Sequence, residues 1–118
     1  MKYKVAELEG APLDAAVALA EGLRLVTASS GRSVAVAVDG TAFEPSLCWE
    51  HGGPIIERER IAIARDGDGQ WFAGICLGLD GGGDVMLDSM WSRGPEPLIA
   101  AMRAFVASKL GDEVEVPE

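Results

Sequence analysis

Apolar residues recur with a helical period near both ends of this chain and with a strand period between them. Leu98, Ile99, Met102, Phe105, Val106 and Leu110 share one arc about 140° wide at about 100° per residue. Pro95 and Pro97 stand at the start of this run, where a missing N–H costs nothing. Gly111 ends it, with Lys109 in the last turn as the helix dipole prefers. The opposite side carries Ala100, Ala104 and Ser108 at every fourth position, beside Ala101. Small residues allow close backbone approach, so this side is also expected to be covered. The expected cover is a second helix, from about Leu13 to Glu21, on which Leu13, Val17 and Ala20 align. A homodimer seam through Ala100, Ala104 and Ser108 is the alternative.

Between the helices the pattern is that of strands and turns. Tyr3 to Leu8 reads as an opening strand, and Val34 to Val38 as a β-branched one. Thr41 to Gly53 reads as an irregular loop, interrupted by Pro45 and closed by Gly52-Gly53-Pro54. From Ile55 to Ile63 the apolar residues alternate imperfectly, which predicts a turn or bulge near Glu59-Arg60. Asp66-Gly67-Asp68-Gly69 is a hairpin turn joining Ile61–Arg65 to a strand over Gln70–Leu79. That strand sets Trp71, Ala73, Ile75 and Leu77 on one side. Asp80 to Asp84 forms the next hairpin loop, leading to a strand through Val85 and Leu87, and a short acidic tail follows the last helix. The expected architecture is a single α+β domain over residues 1–118. It has a mainly antiparallel sheet of about five strands, with two helices packed on one face.

Composition supports this and narrows the function. A chain of 118 residues, 48% hydrophobic and 25% charged, is long enough for a core without metal or disulfide. The formal net charge of −9 argues against binding phosphate backbones, which depends on Lys and Arg displacing counterions. Cys48 and Cys76 are distant in sequence and lie among apolar residues, as expected of free thiols in a reducing compartment. Glu7 and Glu9 follow Lys2 and Lys4 at once, so no secretory apolar core is expected there. The Ala15–Ala20 run is too short for a membrane span. The expected location is the cytoplasm.

Reactive chemistry is sparse. The single histidine, His51, has Glu50, Glu57 and Glu59 nearby in sequence but no identifiable nucleophile partner. One His and two isolated Cys do not make a zinc cluster, and no metal or cofactor is expected. Asp66 to Trp71 lacks the sixth-position glycine and closing acid of a calcium loop. Gly81-Gly82-Gly83 lacks the Lys-Ser/Thr of a phosphate loop. Glu57-Arg58-Glu59-Arg60 reads as a solvated strand face with ion pairs. Trp71 is assigned to the core. Trp49 and Trp91 fall in loops, where an aromatic either covers the core, the favoured reading, or offers a contact surface. No catalytic residue is assigned. The candidate binding residues are Trp49, His51, Gly52, Gly53, Pro54, Glu57, Arg58 and Trp91.

Two blocks carry a resemblance, Phe43 to Glu59 and Pro97 to Val114, joined by Leu13 to Ala18 in the first helix. In the same order they resemble the NinX-like proteins of lambdoid bacteriophages and prophages, a family without an established biochemical function. Ala15 and Cys48 depart from the family pattern, where a tryptophan and an aspartate are usual, and Thr27–Thr41 is longer and more hydrophobic. The resemblance implies phage or prophage origin and expression in a bacterial host, and it implies no activity. The reading that follows is a small phage accessory protein that binds a host or phage protein without catalysis. The alternative is a small enzyme or ligand-binding protein with a cleft near His51, Glu57 and Glu59. A third reading, an acidic DNA mimic, needs regularly spaced carboxylates, whereas here Arg58, Arg60 and Arg65 interrupt them.

Overall fold

The computed structural model describes residues 1–27, 29–31 and 33–117. The chain runs β1 (Lys2–Lys4), a single 3₁₀ turn (Val5–Glu7), α1 (Gly10–Glu21), β2 (Leu25–Thr27) and β3 (Ser33–Ala35). It continues through α2 (Trp49–Glu59), β4 (Ile61–Arg65), β5 (Trp71–Leu79), β6 (Val85–Leu87), β7 (Ser92–Gly94), α3 (Pro97–Leu110) and β8 (Glu113–Glu115). The class is α+β with antiparallel pairing, as the pattern predicts. Among the described residues the strands are divided among three sheets: β1 with β8, β2 with β3, and a central sheet in which β5 pairs β4 on one side and β6 and β7 on the other.

Helix α3 organises the core. It lies against β4, β5 and β7 and also touches α1 and α2. Every residue from Leu98 to Ala107 is buried, so both the large and the small sides of this helix are covered within one chain. Ala100 and Ala104 therefore lie inside the molecule, not at a seam open to a second copy. Strand β7 as well as α1 comes up against α3, at Ala100. A Cβ on Gly94 would stand 2.8 Å from the Ala100 amide nitrogen, so glycine there lets the strand reach the helix backbone.

Four expectations about the elements change. Tyr3–Leu8 is not one strand: β1 ends at Lys4 and Val5 begins the 3₁₀ turn, with Val5 and Leu8 buried. The Val34–Val38 run is a strand only to Ala35, with Val36 adding an isolated bridge to Ala42. The acidic tail contains β8, in which Val114 faces Tyr3, and Val114 and Val116 are buried. The largest change is α2, which replaces the second half of the expected loop and the first half of an expected strand. Gly52, Ile55, Ile56 and Glu59 follow the helical i, i+3, i+4, i+7 spacing, and Gly52 and Ile55 are buried. Gly52 is required by packing, since a Cβ there would lie 2.7 Å from both Leu98 Cδ2 and the Pro45 carbonyl oxygen. Arg60, at φ 57°, ends the helix at the break expected near Glu59-Arg60. A third helix thus joins the two expected, and the Glu57–Arg60 run is its last turn and cap, not a strand face.

Candidate functional site

The segment before α2 is pinned to α1 by a buried carboxylate. Asp14 accepts a hydrogen bond of 2.8 Å from the Ser46 amide. Burial raises the Asp14 pKa from its ordinary value, and the Ser46 amide and neighbouring hydroxyl pull less strongly the other way. His51 accepts the Glu44 amide at Nδ1 over 3.0 Å and tilts against the Phe43 ring, with centroids 5.4 Å apart. The Nδ1 lone pair is thus engaged by the backbone and not open to a substrate. Ser46 Oγ is sealed from solvent and, among the described residues, meets no partner in hydrogen-bond geometry. Asp14, Ser46 and His51 are neighbours, but their bonds do not run from hydroxyl to imidazole to carboxylate as nucleophile activation requires.

A cleft of about 330 Å³ opens beside them, lined in part by Asp14, Phe43, Glu44 and Leu47. His51 does not line the cleft, though it touches Phe43 and Glu44, which do. Glu57 and Glu59 do not join it. Glu59 lies eight residues further along α2, roughly 12 Å along the axis, and pairs with Arg58 at 2.8 Å and Lys109 at 3.1 Å. The Arg58 bond, then Lys109, holds the Glu59 carboxyl below its usual range. Arg58 also pairs with Glu21 and lies over the Phe105 ring, 5.9 Å from its centroid, so it ties α2 to α1 and α3. Glu57 and Pro54 are exposed, and Gly53 is half-buried. Trp49, 55% exposed, heads α2 as an open side chain, not a cover over the core.

Trp91 belongs to a different surface. On β5, Trp71, Ala73 and Ile75 join the core under α3, so Phe72, Gly74 and Cys76 point to the opposite face. A Cβ on Gly74 would lie 3.0 Å from Trp91 Cβ and 3.2 Å from Leu87 Cβ, which places both residues on that outer face. The β5–β6 register then shifts between Cys76 and Gly78. The shift pairs Leu79 with Val85 and Cys76 with Leu87, so Leu79 changes sides and joins the outer face. Leu79 is 64% exposed, Val85 53% and Trp91 50%. Leu77, expected on the same side of the strand as Trp71, is exposed as well. Helix α3 covers the inner face, and among the described residues no helix covers the outer one.

This face holds an open groove of about 470 Å³, lined by Asp66, Phe72, Val85, Leu87, Trp91 and Arg93. Asp66 Oδ1 accepts the amides of Asp68 and Gln70 and so shapes the β4–β5 turn. Its Oδ2 is buried without a hydrogen bond, while Arg93 Nε stands 3.4 Å away at ion-pair distance. The structure thus separates the sequence-derived candidates. Trp49, His51, Gly52, Gly53, Pro54, Glu57 and Arg58 lie on α2, and Trp91 lies on the outer sheet face with Phe72, Leu79, Val85 and Leu87. The alternating pattern of β5 pointed to a sheet, but only the register shift reveals which leucine faces out.

Among the described residues no group of three or more His, Cys, Asp or Glu is placed to hold a metal ion, and no helix is long and apolar enough to cross a membrane. In comparison with known proteins, the family model described as Bacteriophage P22, NinX matches residues 4–109. No curated protein matches the chain.

Proposed function

This chain belongs to the bacteriophage P22 NinX family, and from that premise we propose that it is a phage accessory protein that binds a host or phage protein without catalysis. The observation that carries the reading is the outer sheet face. Leu79, Val85 and Trp91 lie there at least half exposed, on a sheet whose other face packs under α3. Burying one such side chain is worth about 1.5–3 kcal/mol, so a contiguous group of them favours association. The bonds at His51 and the sealed Ser46 hydroxyl support binding over catalysis at the α2 end. Trp49 and Leu47 form a second exposed apolar pair there and are the lesser candidate contact.

Immobilised protein tests this in lysate from phage-infected host cells. The parent chain should retain one protein in stoichiometric amount, and Trp91→Ala, with an unchanged fold by circular dichroism, should lose it. Equal retention by both would remove the outer face from the proposal. Retention lost only with Trp49→Ala would move the contact to α2.

A further inference from the structure

We infer that the outer sheet face receives a basic amphipathic segment of a partner protein, an apolar stretch with Lys or Arg at both ends. The inference rests on the binding reading above and adds the chemistry of the partner. Strand β5 runs through the middle of the face, and its nine residues span roughly 30 Å. At one end the β4–β5 turn presents Asp68, with Asp66 behind it paired to Arg93. At the other the β5–β6 turn presents Asp80 and Asp84. Between them lie Phe72, Leu79, Val85, Leu87 and Trp91. The apolar strip is therefore bounded by carboxylates at both ends.

The nearby cations do not cancel this pattern. Arg65 pairs in register with Trp71 and lies over its ring, 5.3 Å from the centroid, on the side facing α3. Arg93 is on the outer face, but it is set against Asp66 and near the Trp91 ring. The Asp66 side chain is only 10% exposed and is taken up by the turn amides and Arg93. The exposed carboxylates of Asp68 and Asp84 are the ones open to a Lys or Arg head, as charge-assisted pairs.

Charge also selects among occupants. A second copy docked on this face by a twofold axis brings an acidic turn against an acidic turn in either orientation. A nucleic acid or an anionic lipid surface meets the same repulsion. A segment with cations at both ends meets opposite charge at both.

The test is a titration of the full ¹⁵N-labelled chain with two synthetic peptides of 18 residues, about 27 Å as a helix. Both have the same Leu/Ala centre; one carries Lys pairs at its ends and the other Glu pairs. The Lys-ended peptide should shift the amides of β5 and β6 and the Trp91 indole. Its affinity should fall at least tenfold from low salt to 0.3 M, and at least tenfold in the exposed-turn variant Asp68→Asn/Asp84→Asn. Equal binding of the Glu-ended peptide, shifts centred on α2, or concentration-dependent dimerisation of the free chain through the same residues would overturn the inference. If neither peptide binds while lysate capture still depends on Trp91, the basic partner is wrong and the binding reading stands. If capture is also indifferent to Trp91, both fail.

Discussion

The two faces of the central sheet have similar raw material and opposite fates. Beneath α3, Ile61, Ala73 and Gly94 meet Ile99, Ala100 and the rest of a helix buried along most of its length. On the other side, Phe72, Leu79, Val85, Leu87 and Trp91 are also apolar, but among the described residues no helix crosses them. Apolar character alone thus does not decide burial. A buried face needs an opposing element and close-approach positions such as Gly94, and the outer face has acidic turns where an opposing element would end.

Breaking the covered face should cost the most. Phe105→Ala removes a fully buried ring beneath α2 and should lower stability by about 3–5 kcal/mol in urea unfolding. Next comes Arg103, a buried guanidinium on α3 that donates 2.7 Å to the Leu8 carbonyl and 2.8 Å to that of Arg93. Burial pushes its pKa down, with Glu9 partly opposing, and its bonds hold the 3₁₀ turn and β7 to the helix. Arg103→Met leaves both carbonyls without that donor and should cost about 3 kcal/mol by the same assay. On the open face, Trp91→Ala keeps the Cβ contact over Gly74 and should cost only about 1 kcal/mol.

A smaller effect appears only as a slope with pH. Because the folded chain raises the Asp14 pKa, the protonated form stabilises it fully below the ordinary value of 3.8, and that contribution is lost as pH rises through the folded value. Asp14→Asn keeps an acceptor for the Ser46 amide without the charge. Its stability relative to the parent should rise with pH across that window. A difference in urea midpoint that stays flat or falls would contradict the role of burial at Asp14.

The covered face was largely legible in the sequence. Its helix was marked by Pro97, the Leu98–Val106 period and Gly111, and its hairpin by Asp66 to Gly69. Helix α2 was not, because Gly52, Gly53 and Pro54 are ordinarily helix breakers and Ile55 to Ile63 alternates like a strand. There tertiary contact overrode local preference: only glycine fits between Pro45 and Leu98. Strand β8 was hidden for a related reason, since Glu113 and Glu115 read as a solvated tail until β1 supplies a partner. At the candidate site, Trp91 could be singled out as a loop aromatic. Its neighbours could not, because the shift between Cys76 and Gly78 changes the parity on which a reading of β5 depends. Arg103 could not be singled out, because nothing in its spacing shows the carbonyls of Leu8 and Arg93.

The sharpest separation of the two faces comes from the double variant Leu79→Ser/Val85→Ser, measured by thermal unfolding and by partner capture on the same preparation. If the outer face serves binding and not folding, each substitution changes stability by no more than about 0.5 kcal/mol, the melting temperature stays within about 5 °C of the parent, and capture is lost. A large fall in melting temperature, or capture equal to that of the parent, would show that this face is part of the core or is not where the partner binds.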